Sequence, residues 1–252
     1  MTEAASAAAS SMPDYQRQLD VFDPAKFSTP VHIIGVGAIG SRIAADLADL
    51  GVFNMTLWDH DRVEPHNLPN QRFGREEVGM LKTEAMAKII RRDCGFDVNI
   101  HTEKVTDQKL SGIVFVCVDK MRYRKKIWDN CLKYQMDVDL VVEIRMGAEF
   151  GMIYTVRPCH PIDVDNYENT LYNDDEVEPS ACTYRAIPTV AGMVASTSAH
   201  KVVKFATGLQ YSGKIKFEGG GVEQHASAEI LSINPVLVSR GEWIEETAAA
   251  VA

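Results

Sequence analysis

Short apolar runs alternate with longer amphipathic stretches over the first 145 residues, and this alternation sets the elements. VHIIGV (31–36) is short, β-branched and glycine-terminated, the pattern of a strand buried on both faces. From Ala38 to Leu50 the spacing becomes helical, with Ile39, Ile43, Leu47 and Leu50 on one face and Gly51 as the stop. A strand, VFNMTLWD, runs to about Asp59, followed by a polar loop over 60–79 that holds Pro65 and Pro69. Met80–Arg92 predicts a helix, DVNIHTE (97–103) a strand and GIVFVCV (112–118) another buried strand. Arg122–Tyr134 then reads as a helix, DLVVEI (139–144) and Gly151–Val156 as strands. Residues 159–186 are acidic and irregular, long enough for a crossover loop. Ile187–Ala206 predicts a helix with Pro188 near its first turn, where the missing N–H costs little, and two tail strands follow at 213–218 and 227–233.

Strand–helix alternation of this kind predicts a Rossmann-like, doubly wound α/β fold: a mostly parallel sheet covered on both faces, with antiparallel strands at its C-terminal side. Residues 1–14 read as a disordered leader and 15–252 as a single domain. The leader has an acid and no basic or apolar region, so no signal peptide is expected there. The apolar stretch 187–205 is broken by Ser196, Ser198, His200, Lys201 and Lys204, which argues against a membrane span.

The charge balance, 26 basic against 35 acidic residues for a net of −9, argues against a general nucleic-acid or anionic-membrane binder. The cluster Lys120–Lys126 therefore reads as a solvated helix face, and His32 as a core residue. Five cysteines, at 94, 117, 131, 159 and 182, form no CxxC pair, so no zinc site is expected and the compartment reads as a reducing cytoplasm.

The candidate chemistry begins at Gly35-Val-Gly37-Ala-Ile-Gly40, between a predicted strand and a predicted helix. There the first glycine makes the turn, the second lets backbone approach phosphate, and the third packs helix on strand. The helix N-terminus offers free N–H groups and a partial positive charge to an anion. Asp59 ends the second strand 19 residues after Gly40, placed to hold ribose hydroxyls. The chain then continues through a dense polar loop, Asp59-His-Asp61-Arg-Val63-Glu64-Pro-His-Asn67-Leu68.

This stretch resembles the ThiF/MoeB/HesA family of ubiquitin-activating-enzyme-like adenylyltransferases, whose pattern is GxGxxG followed by DxDxVxxxNLxRQ. The likeness continues in order. Val78-Gly79-Met-Leu-Lys82 resembles VGxxK, which implies that Lys82 contacts ATP phosphate. Cys117-Val-Asp119-Lys resembles CTDN, which implies that Asp119 holds Mg²⁺. Tyr15-Gln-Arg17-Gln-Leu19 is similar to RYxRQ, which implies that Arg17 reaches the ATP of a neighbouring subunit in a homodimer. Cys182, in SACTYR, resembles the acceptor cysteine that takes the activated acyl group as a thioester. The family's phosphate-contacting arginine is here Asn70, which leaves Arg72 or Arg75 as the candidate guanidinium. The resemblance implies ATP and Mg²⁺ as cofactors, a ubiquitin-like modifier as partner and a downstream conjugating enzyme. Competing readings are an NAD-dependent oxidoreductase, for which the polar loop after Asp59 has no role, and a non-catalytic ATP-binding scaffold subunit.

Independent of the resemblance, adenylating a carboxylate means displacing pyrophosphate from the α-phosphorus. The protein must place two reactants and neutralise phosphate charge. Lys82, Arg17 and the helix N-terminus are cationic donors for that task, and the Asp119 carboxylate suits a hard ion such as Mg²⁺.

Overall fold

The computed structural model describes residues 13–147, 150–174, 188–208, 213–218 and 221–225. In chain order they form β1 (Val31–Ile34), α1 (Gly40–Asp49), β2 (Met55–Trp58), α2 (Lys82–Cys94), β3 (Asn99–His101), β4 (Gly112–Val116) and α3 (Met121–Ile127). Then come β5 (Val138–Met146), β6 (Phe150–Val156), α4 (Pro161–Glu168), α5 (Pro188–Ala206), β7 (Gly213–Glu218) and β8 (Gly221–His225). One sheet contains all eight strands in the order β3-β2-β1-β4-β5-β6-β7-β8. The first five pair in parallel, and β6, β7 and β8 add antiparallel pairs. The doubly wound, mostly parallel fold read from the sequence is the fold observed.

Successive residues of a strand face opposite sides, so β1 sends Ile33 to one core and Ile34 to the other. The larger core packs α1, α2 and α5 through residues such as Ile43, Met86 and Val202. On the opposite face Ile127 of α3, Trp128 just after it, and Val164 and Tyr167 of α4 close the sheet. Left-handed Gly95, at φ +79°, ends α2, and its N–H returns to the Arg91 carbonyl.

Three expectations change. The helix expected over 122–134 is α-helical only to Ile127 and continues as a π-helical turn, Trp128–Leu132. The irregular stretch 159–186 opens with α4, whose Val164 and Tyr167 are buried three residues apart while Asp163 is buried against Arg157. A strand lies at 221–225, whereas the expected strand 227–233 lies outside the described residues. Among the described residues no helix is long and apolar enough to cross a membrane.

The order of strands fixes the site. After β3 the chain returns to the other side of β1, so the connections leaving β1 and β4 diverge at their carboxyl ends. That is the switch point at which open α/β sheets bind ligands.

Candidate functional site

A cavity of about 430 Å³ opens at that switch point. The glycine loop after β1 forms its floor, and the turn 117–119 after β4 forms one wall. Each glycine of the loop has its own reason. Gly35 stands at φ +92°, and a Cβ there would lie 3.0 Å from the Cys117 carbonyl. At Gly40 a Cβ would lie 1.8 Å from the Gly35 oxygen, so the helix can start against the strand only without one. Gly37 differs: a Cβ would meet nothing within 4 Å. Its bare backbone faces open cavity, as a phosphate cradle requires.

Asp59 latches this loop. Its Oδ2 accepts the Val36 N–H at 2.7 Å and its Oδ1 accepts the Asp61 N–H at 2.8 Å. The carboxylate thus sets the turn while lining the cavity. Lys82 is 8% exposed, although a first-turn lysine taken alone would be read as solvated. Its Nζ lies 3.0 Å from Asp61 Oδ2, and its backbone N–H donates to the Asp61 carbonyl at 2.9 Å. Burial pushes the Asp61 carboxyl up, but the hydrogen bond and charge of Lys82 outweigh it and hold the group below the usual carboxylate range.

Gly35, Gly37, Asp59, Asp61, Lys82 and Asp119 all line the cavity. Other expected residues do not. Arg17 is exposed on the turn Gln16–Gln18, outside the lining. Asn67 accepts the Glu64 N–H at 2.9 Å and so shapes the polar loop. Arg72 is exposed outside the cavity, its charge acting on Arg42, Asp46 and Asp93. Cys182 lies outside the described residues.

The structure adds residues that sequence reasoning did not assign. Gln71 lines the cavity with its Oε1 buried and unpartnered, a free acceptor for a ligand donor. Its signal was present, in the motif position following Asn70. Arg124 and Arg145 line the opposite wall, so Arg124 departs from the solvated face that the run Lys120–Lys126 predicts. Burial pulls the Arg124 guanidinium down to about 10, which leaves it charged at neutral pH. Burial also pushes the Cys117 thiol in this wall up to about 12.

Among the described residues, two places in the cavity offer carboxylate oxygens to a hard cation. Ligand atoms of Asp59, His60 and Asp61 lie within 4.8 Å of one another. Both oxygens of Asp59 and one of Asp61 are committed to N–H donors and Lys82. Asp119 is exposed in the cavity wall, and among the described residues no hydrogen bond or ion pair occupies its carboxylate. It is the better fit to Mg²⁺.

The ThiF family model matches residues 15–230. The ubiquitin-like modifier-activating enzyme 5 of Aedes aegypti is 28% identical over 212 residues, covering 73% of this chain and 53% of its own length. Thus the chain spans about half the length of such relatives. The sulfur carrier protein ThiS adenylyltransferase of Escherichia coli is 23% identical over 206 residues, covering 78% of this chain and 80% of the enzyme. Among solved structures, E. coli MccB with AMPCPP and selenomethionine MccA matches with a TM-score of 0.58 at 18% identity, over 85% of this chain and 67% of that one, a likeness of fold. A glycine cradle, its aspartate latch and a buried lysine stand in one cavity within a chain matched almost throughout by one family model, and the chain belongs to the ThiF family.

Proposed function

We propose that this chain is an ATP- and Mg²⁺-dependent adenylyltransferase that activates the C-terminal carboxylate of a ubiquitin-like or sulfur-carrier-like protein. The observation that carries the reading is Lys82, a buried cation held 3.0 Å from Asp61 beside the open face of Gly37. The names of the relatives, activating enzymes and adenylyltransferases, support the same class. ATP phosphates lie over the Gly37 backbone, and Lys82 neutralises their charge. A carboxylate oxygen of the partner attacks the α-phosphorus, the bond to the bridging oxygen breaks, and pyrophosphate leaves. Asp119 holds Mg²⁺, which supplies charge neutralisation on the phosphates. The glycine loop and the 117–119 turn keep the reactants in line.

A second step belongs to the same proposal. The Cys182 thiolate attacks the acyl carbon, AMP leaves, and a thioester forms for transfer to a conjugating enzyme. Arg17, outside its own cavity, acts across a homodimer boundary into the neighbour's site.

The test is ATP–pyrophosphate exchange with a panel of ubiquitin-like and sulfur-carrier proteins, beside NAD binding. Exchange with one panel member, lost in Asp119→Ala, is the expected result. Tight NAD binding without exchange would replace the reading with an oxidoreductase, whereas ATP binding without exchange is equally the result for a scaffold subunit and for an acceptor outside the panel. Cys182 is tested by a DTT-sensitive, ATP-dependent adduct on a non-reducing gel, which Cys182→Ala should abolish.

A further inference from the structure

Behind the cavity wall stands a carboxylate that touches no ligand position. Glu143, on β5, has 0% exposure and does not line the cavity, yet both of its oxygens are taken by arginines that do. Arg124 Nη1 donates to Oε1, and Arg145 Nε donates to Oε2 at 2.9 Å. Arg124 also donates to backbone. Its Nη2 donates to the Val118 carbonyl, and its Nη1 also reaches the Val116 carbonyl at 3.5 Å. These two carbonyls flank Cys117, whose own N–H is fixed to the Ile34 carbonyl of β1 at 2.8 Å. The turn that ends in Asp119 is thus gripped from β1 on one side and from β5, through Arg124, on the other. Arg145 extends the grip by donating to the Thr170 carbonyl at 2.7 Å and the Thr170 hydroxyl at 3.0 Å.

A buried ion cluster is a poor source of stability, because desolvating the charges offsets their attraction. Its value is geometric. A guanidinium fork cannot shift without breaking several bonds at once, and Glu143 holds Arg124 with one oxygen and Arg145 with the other. We propose that Glu143 is a positioning residue: through Arg124 it fixes the Val116–Val118 backbone and so sets the direction in which Asp119 presents its carboxylate to a metal–nucleotide complex. This rests on the reading of Asp119 given above. Groups supporting a metal ligand from behind commonly change metal affinity by about 10- to 100-fold when removed.

The experiment is calorimetric titration of the full chain with AMPCPP, whose α,β-methylene bridge blocks adenylation, in Mg²⁺ and in EDTA, for wild type, Asp119→Asn, Glu143→Gln and Arg124→Lys. Expected is a gain in affinity from Mg²⁺ in wild type that disappears in Asp119→Asn. The gain, taken as the ratio of the two affinities, should shrink about tenfold or more in Glu143→Gln and Arg124→Lys, with metal-free binding held within about twofold in Glu143→Gln. If Glu143→Gln does not fold, Arg124→Lys decides, because it keeps the buried charge balance but loses the fork. A gain lost in Asp119→Asn and retained in the folded positioning variants overturns the proposal. Equal weakening with and without Mg²⁺ also overturns it, as that is what a merely structural cluster would give. A gain absent in wild type, or intact in Asp119→Asn, refutes instead the role of Asp119.

Discussion

The glycine loop offers the sharpest separation between folding and binding, because two of its glycines are required for different reasons. In Gly40→Ala the new Cβ would stand 1.8 Å from the Gly35 carbonyl oxygen and 3.3 Å from Ile33 Cγ2. Normal contact is about 3.5–4.0 Å, so α1 or the loop must retreat by well over 1 Å. Neither can do so cheaply, since Gly35 is bonded to Trp58 and Ile33 lies in the central strand. Overpacking costs about 1–3 kcal/mol, and the gain in helix propensity, at most about 1 kcal/mol, offsets only part of it. We expect a net loss of about 2 kcal/mol, which for a domain of this size lowers Tm by about 4–8 °C. In Gly37→Ala the Cβ meets nothing within 4 Å and the backbone is not left-handed. Stability should stay within about 0.5 kcal/mol of wild type. The methyl group, however, enters the cavity where phosphate must approach, and a misplacement of about 1 Å can cost about 10²-fold in rate. Thermal melts, ATP–pyrophosphate exchange rates and calorimetric ATP titrations of the two variants check both halves. A Gly37→Ala protein that binds ATP like wild type, or that melts as low as Gly40→Ala, would refute the assignment of Gly37 as the cradle.

Three further outcomes are expected. Mixing Arg17→Ala with Lys82→Ala protein should partly restore exchange activity that each lacks alone, because one hybrid site keeps both residues; verified heterodimers without activity would remove the cross-subunit role of Arg17. Trp58 donates its Nε1–H to His32 Nδ1 at 3.2 Å, and burial holds the His32 imidazole down at about 4. Since this lies below the ordinary value of 6.5, the unfolded chain binds the extra proton first, and stability should fall by about 2 kcal/mol as pH drops from 6.5 to 4. Denaturant titrations across that range should show this slope reduced in His32→Gln, and an unchanged slope would sink the idea. Burial pushes the Cys94 thiol up to about 11 and Cys117 to about 12, whereas Cys159 is exposed. Iodoacetamide at pH 8, read by peptide mass mapping, should therefore modify Cys159 and spare Cys94 and Cys117; equal labelling of Cys117 would mean that the wall opens.

Residue order by itself determined the strand–helix alternation, the parallel sheet and the glycine loop. Each of these is written in a local period or in fixed spacings, and a period of two or of 3.6 states which face is buried whatever the partner. It also ordered Asp59, Asp61, Lys82 and Asp119 along the chain, and the switch point between β1 and β4 gathers them into one cavity. Tertiary structure alone decided which charges are buried. Lys82 looks like any first-turn lysine until Asp61, 21 residues earlier, is brought against it. Arg124 reads as one cation in a solvated run until Glu143, 19 residues later, receives it. The opening of α3 shows the same limit, because its Met121 N–H is capped by Asp174 at 2.8 Å from 53 residues away. Arg72, one position of the polar loop beyond Gln71, turns towards α1 and α2 while Gln71 turns into the cavity. A hydrophobic residue announces its burial through its own transfer free energy, whereas a charge is buried only where a distant partner makes that tolerable, and no local pattern records the partner.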